Sequence, residues 1–130
     1  MMQVLLVGLG GACGACARFW LSGVVARRFG ETFPWGTLVV NVSGAFAIGL
    51  LAARFMSTEG VAAPWRDAWL LLVTGILGSY TTVSSFSLQT LALARAGEGA
   101  RAAMNVLASL CFCLAAAFAG HQAGLRMFGG

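Results

Sequence analysis

Residues 75–90 read GILGSYTTVSSFSLQT, with WLLLVT before them and LALA after them. Thr81, Thr82, Ser84, Ser85, Ser87 and Gln89 therefore sit inside an otherwise apolar stretch. A hydroxyl donates one hydrogen bond, a primary amide two, and arginine only donates. Other donors recur at helical spacing. Asn41 follows Thr37 by four residues and shares its helical face. Asn105, Ser109 and Cys113 fall at i, i+4 and i+8. Arg18 lies in the last third of the first apolar segment. The carboxylates behave differently: Glu31, Glu59, Asp67 and Glu98 all lie between or at the edges of the apolar segments. Donors without carboxylates suit an anion. A proton-coupled pump or an exporter of organic cations would need an acidic group inside the apolar zone.

Each donor also has a plainer use. A helical Ser or Thr can bond its own i−4 carbonyl, and the cluster as a whole can serve as hydrogen-bond glue between helices. Arg18 either snorkels back toward the first loop or faces a water-filled vestibule.

These residues need elements to hold them, and composition says which. The chain has 130 residues, 59% of them hydrophobic and 9% charged, well outside the range of soluble domains. A membrane-crossing helix takes about 20 mostly apolar residues. Four segments qualify, over about 4–25, 35–55, 68–94 and 102–125. Together they make one all-α, four-helix transmembrane domain spanning 1–130. The connections ARRFGETFP, RFMSTEGVAAPWRD and RAGEGAR carry charge together with Gly or Pro, as loops do. The N-terminal stretch lacks a charged leader and stays apolar past Arg18, so it reads as a retained span rather than a cleaved signal.

Gly75 and Gly78, followed by Thr81 and Thr82, weaken the third helix near its middle. A break at membrane depth is tolerated only where it is buried in protein or lines a cavity. Such breaks present freed carbonyls to cations and half-helix N-termini to anions. Two copies across a twofold axis would form a cage of carbonyls.

Cys13 and Cys16 form a C-x-x-C pair, and Cys111 and Cys113 flank Phe112. Inside apolar helices they read as small hydrophobes rather than as redox or zinc groups. Gly10 with Gly14, and Gly120 with Gly124, have the spacing for close helix packing. The net charge is +4, and every basic residue is an arginine. They are scattered toward segment ends, which excludes the basic stripe of a nucleic-acid binder. Arg54, Arg66 and Arg126 fall on one side of the membrane; Arg27, Arg28, Arg95 and Arg101 fall on the other. Orientation follows the arginine bias of short loops. A bias this small permits insertion both ways round, and hence an antiparallel dimer.

GGACGACARF, PWGTLVVNVSGAFAIG and GILGSYTTVSSFS occur in this order, and over essentially its whole length the chain resembles the Fluc/CrcB family of fluoride channels. The resemblance implies four-helix subunits in an antiparallel dual-topology dimer in the bacterial cytoplasmic membrane. It implies two fluoride pores, each built from both subunits, and passive, fluoride-selective export. It implies a central sodium ion on the twofold axis, held by the carbonyls of Gly78 and Thr81. By the same resemblance Asn41 is the pore asparagine, Arg18 the vestibule arginine, and Asn105, Ser109 and Cys113 the polar track of the fourth span. Thr82, Ser85 and Phe86 complete the ion pathway.

Two positions depart from the family pattern. Val83 stands where the first of two stacked phenylalanines is usual, and Gln89 where a glutamate is common. A ring edge carries positive potential; valine does not. Two other readings follow: one subunit of a heterodimeric fluoride channel with a partly degraded pore, and a small exporter of organic cations.

Overall fold

The computed structural model describes residues 1–57 and 59–129. Long apolar runs and the absence of interior prolines give long helices. They are α1 (Met2–Phe29), α2 (Trp35–Phe55), a third span in several pieces, and α6 (Gly99–Phe128). A short antiparallel hairpin of β1 (Met56–Ser57) and β2 (Gly60–Val61) follows α2 and pairs Met56 with Val61. The third span opens with a 3₁₀ turn at Ala63–Trp65, with Pro64 in its first turn, and α3 (Arg66–Trp69). A π-helical stretch over Leu70–Leu77 leads into α4 (Gly78–Tyr80). After an extended step at Thr81–Thr82 the helix restarts as α5 (Val83–Arg95). Four helical stretches, Met2–Phe29, Trp35–Phe55, Ala63–Arg95 and Gly99–Phe128, are long and apolar enough to cross a membrane.

The helices outrun the apolar segments that announce them. α1 continues through Arg27 and Arg28 to the Gly30 cap, and α6 starts at Gly99 rather than near 102. Hydropathy marks where lipid begins, whereas a helix ends where its backbone hydrogen bonds find a cap. At α5 that cap is Gly97, at φ +81°. Its N–H bonds the Ala94 carbonyl while the Glu98 N–H reaches back to Leu93, closing a Schellman turn.

Large apolar side chains mostly face outward: Leu9, Phe19, Leu107, Leu114 and Phe118 are all exposed. Beside a few large buried side chains such as Leu38 and Phe55, the helix contacts are made largely by small residues and backbone, as membrane helices require when lipid removes the hydrophobic drive to associate. α2 packs chiefly on α6, and α1 on the third span. A Cβ at Gly49 would strike the Ala117 carbonyl oxygen, and one at Gly120 would strike that of Phe46. On α1, a Cβ at Gly10 would come to 2.5 Å from the Leu71 oxygen, whereas Gly8 and Gly11 have open space. The Gly10–Gly14 and Gly120–Gly124 spacings thus pack helices.

At the end of the bundle that carries Arg54, its guanidinium stacks 4.1 Å from the Trp65 ring centroid and 5.7 Å from that of Phe128, joining α2, the second loop and α6.

Replacing Gly49 by Ala is expected to destabilise the α2–α6 pair by about 1–3 kcal/mol through overpacking. Thermal unfolding in detergent should show a lowered midpoint, while Gly8→Ala, which meets nothing, leaves the midpoint unchanged.

Candidate functional site

The extended step at Thr81–Thr82 organises the site. Thr81 has ψ 158° and Thr82 has φ −152° and ψ 122°, so the α-helical ladder cannot pass through them. The Asn41 side chain stands in for the missing ladder. Its Oδ1 accepts from the Thr82 N–H at 2.8 Å, and its Nδ2 donates to the Thr82 carbonyl at 2.9 Å. One primary amide thus serves both peptide groups of a buried residue, as a neighbouring backbone would. Thr82 then caps α5: its Oγ1 accepts from the Ser85 N–H at 3.1 Å.

The extended step releases the carbonyls of Gly78, Ser79, Tyr80 and Thr81 from the helical ladder, and these bonds account for the first and last of them. In a continuous helix the Thr82 N–H would bond Gly78 O and the Ser85 N–H would bond Thr81 O. Both donors are taken elsewhere, by Asn41 and by the Thr82 hydroxyl. The oxygens of Gly78 and Thr81 are left without their helical donors, at an exposed position and a half-buried one respectively.

A line of donors runs from the break toward one end of the bundle. Thr82, Ser85 and Gln89 follow one face of α5, and Asn41 and Thr37 follow one face of α2. Thr82 Oγ1 lies 3.1 Å from Ser84 Oγ and 3.2 Å from Ser85 Oγ. Thr82 Oγ1 accepts the Ser85 amide hydrogen and donates its own proton to Ser85 Oγ. Gln89 Oε1 is fully buried and has no hydrogen-bond partner among the described residues. The line opens into a cleft of about 740 Å³ between the first and third loops, lined in part by Thr37, Ser85, Gln89, Trp35, Arg27 and Arg101. At its mouth Arg101 Nη1 pairs with Glu98 Oε2 at 2.7 Å. Arg18, the expected vestibule arginine, is half-buried and does not line this cleft.

The remaining expected residues divide. Asn105, only 2% exposed, donates from Nδ2 to Thr90 Oγ1 at 2.8 Å, and Thr90 donates to the Phe86 carbonyl at 2.7 Å. Asn105 therefore ties α6 to the turn of α5 that carries Phe86. Ser109 and Cys113 are half-buried farther along α6. Phe86 is half-buried, whereas Val83 is 76% exposed. Sequence reasoning passed over three polar residues: Thr90, Ser79, whose Oγ lies 2.8 Å from Gly11 O, and Ser43, whose Oγ lies 2.7 Å from the exposed Tyr80 Oη. Thr90 stands four residues after Phe86, the spacing of a hydroxyl that bonds back along its own helix. Nothing in the pattern marks Ser79 or Ser43.

A broken third span, donor-lined and crossed by an amide from the second, defines a multi-pass membrane protein built around an interrupted helix. Residues 5–121 match the family described as CrcB-like protein, Camphor Resistance (CrcB). The chain is 62% identical over 120 residues to the fluoride-specific ion channel FluC 2 of Rhodopseudomonas palustris, covering 92% of this chain and 91% of that protein. It is 53% identical over 117 residues to the fluoride-specific ion channel FluC 2 of Bradyrhizobium diazoefficiens, covering 90% and 85%. It is 50% identical over 127 residues to the fluoride-specific ion channel FluC of Opitutus terrae, covering 98% and 96%. The chain belongs to the CrcB family. Its four apolar helices and its bacterial FluC relatives place it in the bacterial inner membrane as a multi-pass protein.

Asn41→Ala would strand both the N–H and the C=O of Thr82, at about 1–3 kcal/mol for each unsatisfied group. Hydrogen exchange in detergent is expected to show the Thr82 amide losing protection while amides in the middle of α6 keep theirs.

Proposed function

We propose that this chain is a passive, fluoride-selective channel that works as an antiparallel dimer. The observation that carries the reading is the break itself: its released carbonyls lie beside a continuous line of hydroxyl and amide donors leading to an open cleft. Relatives over nearly the full length carry the name fluoride-specific ion channel, which supplies the ion.

Fluoride is small and strongly hydrated, so a pore must replace its water with donors and still release it. Thr82 and Ser85 offer rotatable O–H groups whose oxygens lie 3.2 Å apart. Asn41 spends one N–H on Thr82 and keeps its second. The Gln89 amide continues the series toward the cleft. Phe86 would offer a ring edge. The same path gives a cation few acceptors. Coupling to protons would need a carboxylate in the path, and Glu31, Glu59, Asp67 and Glu98 all lie toward the ends of the bundle.

The dimer is supported by what one copy leaves uncovered. Gly78, Ser84, Ser87 and the Ser43–Tyr80 pair are exposed polar groups within the spans. Polar groups facing hydrocarbon are costly, and a second copy would cover them. The near balance of arginines between the two sides favours opposite orientations of the two copies. Among the described residues no group of His, Cys, Asp or Glu could hold a metal. A metal at the break would therefore take backbone oxygens, which suit a hard cation. Gly78 O and Thr81 O from each of two copies would hold a sodium ion on the axis, and its charge would offset the carbonyl dipoles gathered there.

Val83 favours one other arrangement, a heterodimer. A valine on the exposed face removes one ring from the ion path, and a paralogous partner would restore it.

Purified protein in liposomes is expected to release fluoride on addition of a potassium ionophore while retaining chloride. A well-folded dimer with no fluoride release would defeat the homodimeric channel and leave the heterodimer. Phe86→Ala is expected to slow fluoride release more than Val83→Ala does, and Val83→Phe to match or exceed the parent; equal effects of the two alanines would remove any special role for the ring.

A further inference from the structure

Ser79 lies between Gly78 and Thr81, and its hydroxyl is turned toward α1. Its Oγ is 2.8 Å from Gly11 O, 2.9 Å from Gly75 O and 3.2 Å from Ile76 O. One hydroxyl proton is therefore shared among three carbonyls on two helices. A helical serine needs only its own i−4 carbonyl, so the bond to Gly11 is additional. Among the described residues it is the one side-chain hydrogen bond joining α1 to the rest of the bundle.

The approach of α1 is tailored to this bond. A Cβ at Gly14 would overlap both the Ile76 carbonyl oxygen and Ser79 Oγ itself. A Cβ at Gly10 would fall 3.0 Å from Gly75 Cα. α1 therefore lies backbone against backbone on the π-helical turn, and the Ser79 hydroxyl closes the contact at its far end.

That turn needs a clamp. Residues 70–77 are wound as a π-helix, ending with the Gly78 N–H shared between Val73 O and Gly75 O. π-helices are rare and ordinarily no longer than a single turn. Relaxing this one to α-helical winding would shift the register by one residue, about 100° of rotation and about 1.5 Å of rise. Gly78 O and Thr81 O would turn with it.

We propose that Ser79 is a positioning residue: its hydroxyl clamps the π-helical turn to α1 and so aims the Gly78 and Thr81 carbonyls at the cation shared between two copies. The proposal rests on the cation reading of the break given above. Ser79 touches neither the cation nor fluoride.

The test is fluoride release from proteoliposomes as a function of sodium concentration, with N-methylglucamine as the replacement cation. Ser79→Ala is compared with the parent and with Ser57→Ala, an exposed hydroxyl on the β1–β2 hairpin. Ser79→Ala is expected to raise the half-saturating sodium concentration about fivefold, the equilibrium factor that goes with one neutral hydrogen bond. Release at saturating sodium and the preference for fluoride over chloride should stay at parental values. An unchanged sodium dependence in Ser79→Ala, with a sodium-dependent parent, overturns the proposal alone. A parent indifferent to sodium defeats the cation reading and the proposal with it. If Ser79→Ala assembles only at high sodium, the clamp is supported; if it fails to assemble at any sodium concentration, the hydroxyl is a general packing group and the proposal falls.

Discussion

A peptide group inside a membrane must find a hydrogen-bond partner within the protein, and the structure turns on how one peptide meets that demand. Thr82 is extended at a depth where only helix is cheap. Asn41 makes this possible by offering an amide with the donor and acceptor spacing of a peptide bond. The long reach from α2 to the third span is thus a backbone hydrogen bond made with a side chain. An aspartate would lack the donor, and a leucine would lack both groups.

Much of the rest follows from that pairing. Because Thr82 is extended, with its N–H on Asn41 and the Ser85 N–H on its hydroxyl, the carbonyls from Gly78 to Thr81 lose their helical donors and the start of α5 is fixed. The other helices hold this arrangement in place. α6 anchors it through Asn105 and Thr90 to the Phe86 turn. α1 supports the opposite side through glycines that admit its backbone against the π-helical turn. The bundle spends almost none of its polar groups on ion pairs: Arg101 with Glu98, at an exposed end, is the one found among the described residues. An uncharged, hydrogen-bonded interior suits a path meant for a single small anion.

Four spans and a break in the third were legible in the sequence because hydropathy and helix propensity are local properties. The ends of the helices were less legible, since caps such as Gly97 act through backbone angles rather than polarity. Asn41 stood out as a donor at helical spacing, but periodicity says which face a side chain occupies, not which atom it meets across the bundle. It read as a partner for an ion, and the structure shows it first as a partner for a peptide. Asn105 was visible for the same reason, while Thr90 was hidden because a hydroxyl four residues after Phe86 looks like local back-bonding, which it also is. Arg18 was expected at a vestibule by resemblance. The cleft in one subunit is rimmed by Arg27, in the last turn of α1, and Arg101, in the first turn of α6.

The Gly78 and Thr81 oxygens belong to the main chain, so no codon specifies them. Substituting either residue leaves its carbonyl oxygen in the chain, so on the proposed cation reading a scan of substitutions at those two positions can miss the site altogether. The heritable information resides in residues that set the shape of the backbone: an amide on another helix, a hydroxyl at a cap, and glycines one helix away. On that reading, a chain of this kind retunes its cation site by reshaping the backbone. Variants that retune it should arise at positions that never touch an ion.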